Sequence, residues 1–190
     1  MSETDKLFFF FSSEFPFNKE GLEEFIGTFK NKKYKKNELI LKCGETEKEL
    51  RFLDKGIVRE FYASADKEKN INFYIDTEFI TDFSSFTHST PTKKFQECLT
   101  DVNVRVLSKQ SFLDFTNKFN CGKLFIETIF QRLVVKNEND EFIHFVNTAE
   151  ELYLDIMKNK PEWLKQIPQY HIASYLGIKP ETLSRIRKRI

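Results

Sequence analysis

Residues 167–190, IPQYHIASYLGIKPETLSRIRKRI, decide how the C-terminal part of this chain folds. Two helices that cross steeply need a small residue at the contact, and Ala173 supplies it. They also need a turn residue that tolerates positive φ, and Gly177 stands four positions later. Ile172, Leu176 and Ile178 are placed to fill the inside of the first helix and the turn, and Leu183 and Ile186 the inside of the second. Pro180 and Glu181 suit a first helical turn, where a missing N–H costs little and an anion favours the dipole. The spacing predicts a helix-turn-helix.

The second of these helices concentrates charge. Lys179, Arg185, Arg187, Lys188 and Arg189 face a single acid, Glu181, whereas the whole chain carries a formal net charge of only +1. A near-neutral protein that gathers cations on one terminal helix has placed them for a polyanion. Together with Thr182 and Ser184, these side chains are the candidates for contact with double-stranded DNA. The alternative is an αα-hairpin with a solvated basic tail.

Upstream of the motif the hydrophobic period changes twice. Leu22, Phe25, Ile26 and Phe29 recur at helical spacing. Between Glu38 and Lys109 the apolar residues come in short runs broken by turns, and Val102, Val104 and Val106 alternate with polar residues. Several short strands at such spacing predict a β-sandwich or barrel. Ser111, with Asp114 three residues on, is expected to cap the next helix. Residues 121–147 then read as one long helix, rich in Leu124, Ile126, Ile129, Phe130, Leu133 and Val134. A polar patch at Lys136–Glu141 allows a break in it. Thr148 and Glu151 form a capping box before an amphipathic helix that ends at Lys158-Asn159-Lys160-Pro161.

Composition bounds the rest. Of the 190 residues, 40% are hydrophobic and 31% charged, which is globular. The 22 phenylalanines are expected to fill cores with large rings. Cys43, Cys98 and Cys121 form no CxxC pair, so reduced thiols and a cytoplasmic location are expected. Leu7–Phe11 is too short to span a bilayer, and no membrane partner is anticipated. His88, His144 and His171 show no metal-ligand spacing. His171 is expected at the surface or on a phosphate. No metal, cofactor or enzymatic role is anticipated. The run Lys30-Asn31-Lys32-Lys33-Tyr34-Lys35-Lys36 reads as a solvated loop of unassigned role.

The whole chain resembles the Crp/Fnr transcription regulators. The resemblance rests on residues 172–187, which look like the branch common in Bacteroidetes, and on Lys42-Cys43-Gly44-Glu45 and Lys55-Gly56-Ile57-Val58-Arg59, which look like turns of the family's β-roll. It implies an α+β chain: a β-roll of jelly-roll type over 1–119, a dimerisation helix over 120–147 and a helix-turn-helix domain over 148–190. It also implies a homodimer, a transcriptional role, and RNA polymerase as a candidate partner. Glu181 and Arg185 match the pair that reads bases in the family. A carboxylate accepts from cytosine N4, and an arginine forks onto guanine O6 and N7. Where many members carry a further arginine, this chain has Pro180.

The family's cyclic-nucleotide pocket is altered here. Thr81-Asp82 stands in place of Gly-Glu, and Thr92 where the phosphate-binding arginine is expected. Lys93 is a point charge and not a fork. Asp82, Ser84, Thr92 and Lys93 are therefore the candidate lining of an effector pocket for an unknown small molecule. Asp82 with Lys93 could take another small anion, or the pocket is vestigial, and the expectation is an effector other than a cyclic nucleotide, or none.

Overall fold

Period-two patterning becomes two four-stranded antiparallel sheets in the computed structural model, which describes residues 5–14, 19–118 and 142–190. Helices α1 (Lys6–Glu14) and α2 (Lys19–Gly27) come first. The strands follow: β1 (Lys30–Tyr34), β2 (Leu39–Leu41), β3 (Glu49–Lys55), β4 (Ile57–Ala63), β5 (Glu68–Ile75) and β6 (Glu78–Ile80). After α3 (Phe83–His88) come β7 (Phe95–Cys98), β8 (Val102–Ser108) and α4 (Lys109–Lys118). One sheet has the order β1-β8-β3-β6 and the other β2-β7-β4-β5. This is the sandwich expected from the strand spacing and, more narrowly, the jelly-roll implied by the resemblance.

Alternation along these strands builds three cores. Between the sheets lie Ile40, Leu53, Val58, Ile80, Cys98, Val102 and Val104. The outer face of the first sheet presents Leu50, Phe52 and Leu107 to α1, α2 and α4. There the phenylalanines pack ring on ring: Phe11 meets Phe25 edge-on at 5.0 Å, and Phe25 lies 4.1 Å from Phe115. The outer face of the second sheet presents Ile57, Phe73, Ile75 and Leu99 to the C-terminal helices. The sharp β3–β4 turn requires Gly56 at φ 118°, because a Cβ there would meet the Asp101 carbonyl oxygen at 2.7 Å.

The C-terminal unit is α5 (Ala149–Asn159), α6 (Pro161–Gln166), α7 (Gln169–Leu176) and α8 (Pro180–Arg189). The Thr148–Glu151 capping box is present at α5. The residues expected to end that helix do so after Asn159, and Pro161 then opens α6 in its first turn.

Two expectations need correction. Ser111 does not cap α4. The helix begins at Lys109, directly after β8, and the Ser108 hydroxyl accepts from the Ser111 amide at 3.1 Å. The basic run at Lys30 is no loop. It is edge strand β1, paired with β8 from Lys30 opposite Val106 to Tyr34 opposite Val102. Lysines along an exposed edge oppose strand addition by another chain. Most of the helix expected over 121–147 lies outside the described residues, as does Cys121. Residues 142–146 are helical and expose Phe142, Phe145 and Val146.

Candidate functional site

Helix α8 is set by its inner face. Leu183 and Ile186 are buried against Ile172, Ala173 and Leu176 of α7. Ala173 is fully buried, which permits the close crossing. Gly177 adopts φ 70°, and its N–H reaches the carbonyls of Ala173 and Ser174, ending α7. Burying Leu183 and Ile186 turns the other face of α8 outward. Glu181, Arg185 and Lys188 stand at i, i+4 and i+7 on that face, all exposed, with Ser184 exposed beside them. Lys179, Arg187 and Arg189 are exposed at its ends and flanks, and Thr182 is half-buried. Arg189 pairs with Glu150 of α5 at 3.0 Å. Among the described residues no ion pair engages Lys179, Arg185, Arg187 or Lys188. The helix thus holds an outward cationic face whose charges are not spent internally.

What orients this pair of helices is the β4–β5 hairpin. The Ser174 hydroxyl of α7 donates to the Glu68 carbonyl at 3.3 Å and accepts from the Asn70 amide at 3.1 Å. Asn70 Nδ2 donates to the His171 carbonyl at 3.2 Å and lies 3.2 Å from His171 Nδ1. Arg59 Nη1 approaches the same nitrogen at 3.5 Å, and the Arg59 guanidinium is itself held by Glu68 and Glu97. Phe73 and Trp163 close the contact edge-on at 4.9 Å. His171 is therefore a buried joint between roll and helices, not the surface or phosphate contact expected from sequence. Burial, and after it the Arg59 guanidinium, hold its pKa down at about 4. Both groups facing Nδ1 are donors, so this nitrogen is the acceptor and the neutral ring carries its proton on Nε2.

The effector-pocket candidates divide. Asp82 and Thr92 are buried together, and the Thr92 hydroxyl donates to the Asp82 carboxylate at 2.5 Å. Asp82 also caps α3 by accepting from the Ser85 amide. Ser84 and Lys93 are exposed and stand apart from that pair. The lysine that turns inward is Lys94. Its Nζ donates to Glu60 Oε1 at 3.0 Å, and its backbone N–H donates to Thr92 Oγ1 at 3.0 Å. Glu60 also accepts from Gln96 Nε2 at 2.9 Å and from the Tyr74 hydroxyl at 3.3 Å. Glu60, Gln96 and Asn72 are direct cross-strand partners on β4, β7 and β5. On the facing sheet Arg51 forks onto Glu47 at 2.7 and 2.9 Å, with the two residues 4% and 0% exposed. Sequence reading missed Glu60, Lys94 and Gln96. Their signal was a charged residue at the inward parity of an otherwise apolar strand, Val58-Arg59-Glu60.

Burial pushes the Cys98 thiol up to about 12, so it is an inert core group. Among the described residues there is no group of three or more metal-ligating side chains, and no helix is long and apolar enough to cross a membrane.

Residues 31–119 match the family of the cyclic nucleotide-binding domain. Solved structures share the fold over most of the chain. The Thermus thermophilus catabolite activator protein is 16% identical with a TM-score of 0.60, the match covering 97% of this chain and 86% of that one. FixK2 from Bradyrhizobium japonicum is 16% identical with a TM-score of 0.71, covering 85% and 83%. The c-di-GMP-responsive global regulator CLP of Xanthomonas campestris is 15% identical with a TM-score of 0.68, covering 90% and 91%. No curated protein matches the sequence. The chain therefore shares the fold of these structures, a cyclic-nucleotide-binding-type roll followed by C-terminal helices.

Proposed function

We propose that this chain is a dimeric, sequence-specific DNA-binding transcription regulator of the Crp/Fnr type. The observation that carries the reading is the outward face of α8. Glu181, Arg185 and Lys188 share it at helical spacing, exposed, while Leu183 and Ile186 anchor the opposite face. An α-helix fits the major groove. There Arg185 would fork onto guanine, and Glu181 would accept from cytosine N4. Lys179, Arg187, Lys188 and Arg189, with the hydroxyls of Thr182 and Ser184, would grip phosphates and fix the register.

A second copy of the chain is the partner that brings two such helices to one face of a duplex. The helix over 120–147 would form the joint between a roll at 1–119 and a DNA-binding unit at 148–190. Its exposed end, Phe142, Phe145 and Val146, supports this, because an apolar helix face needs a cover. RNA polymerase is the downstream partner this role implies, and the cytoplasm its place. The three regulators that share the fold support the assignment, and the Xanthomonas regulator among them responds to c-di-GMP, a ligand other than cyclic AMP. At the position where the resemblance expects an arginine, cyclic AMP would meet the hydroxyl of Thr92, already bonded to Asp82, and not a guanidinium fork.

Selection of bound sequences from a pool of random duplexes tests the reading. The expected product is a palindrome with half-sites about one helical turn, roughly 34 Å, apart. Absence of any enriched sequence would overturn it in favour of a sensor whose helices contact protein.

A further inference from the structure

The interior of the roll holds a continuous polar network that the DNA-binding role does not use. It runs from Asp82 through Thr92 and Lys94 to Glu60, and from Glu60 to Gln96 and Tyr74. Every member is bonded with one exception. Gln96 is 0% exposed, and its Oε1 has no hydrogen-bond partner. The amide cannot simply be turned over, because that would set its oxygen against a Glu60 carboxylate oxygen at 2.9 Å. A buried carbonyl oxygen left unbonded forfeits its hydration without replacement. Such a group calls for a donor.

Charge defines which donor fits. The carboxylates of Glu60 and Asp82 face one ammonium, Lys94, while on the facing sheet Glu47 and Glu49 are matched by Arg51 and Lys32. Burial pulls the Lys94 pKa down, but Glu60 and Asp82 outweigh it and hold it above the ordinary value, so Lys94 is charged. Even so, acids outnumber bases, and an incoming phosphate would meet repulsion that an incoming cation would relieve. Lys94, with 28% of its side chain exposed, and half-buried Asn72 carry the network to solvent.

We infer that the β-roll binds a small amine, whose N–H donates to Gln96 Oε1 and whose positive charge offsets the excess of Asp82 and Glu60 over Lys94. The inference rests on the regulator reading only in naming this molecule an effector.

Calorimetry and thermal shift on the full chain test it, with methylamine, putrescine and agmatine as probes against acetate, inorganic phosphate and cyclic AMP. At least one amine should bind saturably and raise Tm, and the anions should do neither. Gln96→Met, close in volume, should weaken that amine by about tenfold or more. Asp82→Asn, which keeps an acceptor toward Thr92, should weaken it through charge alone. Arg185→Ala should leave it unchanged, so loss of DNA binding and loss of amine binding are separable failures. Binding of phosphate or cyclic AMP in preference to every amine would overturn the proposal. So would amine affinity indifferent to both variants, or a structure with amine at saturating concentration that shows only a buried water on Gln96 Oε1.

Discussion

Two regions of this molecule use the same side-chain chemistry to opposite ends. In the roll, Arg51 is almost fully buried and forked onto Glu47, while Glu60 is engaged by Lys94, Gln96 and Tyr74. On α8, Arg185 and Lys188 stand in solvent without an ion pair among the described residues. Charges buried in low dielectric must be paired, and removing one partner leaves the other uncompensated. Charges left exposed add little to stability and remain available to an outside ligand. The contrast separates residues that hold the fold from residues that meet a partner.

The largest expected effect lies in the roll. Glu47→Ala should destabilise the protein by about 3–5 kcal/mol, because buried Arg51 would lose its bidentate partner and keep only the half-buried Glu49; urea denaturation measures it. A loss below about 1 kcal/mol would mean that Arg51 escapes to water. On α8 the pattern should invert. Arg185→Ala should leave the unfolding midpoint unchanged and cost about 1–3 kcal/mol of discrimination between operator and random duplex. Between the two regions, Ala173→Leu should wedge α7 from α8 and destabilise by about 1–3 kcal/mol. Its circular dichroism melt should shift while the roll retains its own transition.

A pH dependence is also expected at the joint. The folded His171 pKa, about 4, lies below the ordinary value of 6.5, so the unfolded chain binds the extra proton between those values. The stabilisation is therefore complete above pH 6.5 and is lost as pH falls toward 4. Replacing His171 by Gln, which keeps an acceptor for Asn70, should flatten the stability profile in that window. Parallel profiles for the two proteins would contradict the assigned tautomer and burial.

Local signals were read correctly, the Ser111 cap excepted, and non-local ones were not. The Thr148–Glu151 box and the Ala173/Gly177 spacing lie within a few residues of what they control, and both hold. The Lys30 run lacks strand propensity, and its strand exists because β8 pairs with it, which a single segment does not announce. Lys93 and Lys94 are neighbours just before β7, the first exposed in a bend and the second turned inward onto Glu60, a difference set by the path of the chain that residue type does not show. Sequence alone placed the wrong lysine inward. His171 was misread for a related reason, since its partners, Arg59 and Asn70, lie a hundred residues away in the chain.

The salt dependence of binding to a duplex carrying the selected operator tests the central claim most directly. If the cationic face of α8 grips phosphates, log K falls linearly with log salt, with a slope near −0.9 for each phosphate neutralised. Lys188→Ala should then weaken operator and random duplex alike and make the slope shallower by about one. An affinity unchanged between about 50 and 200 mM salt, or a Lys188→Ala slope identical to that of the parent protein, would contradict it.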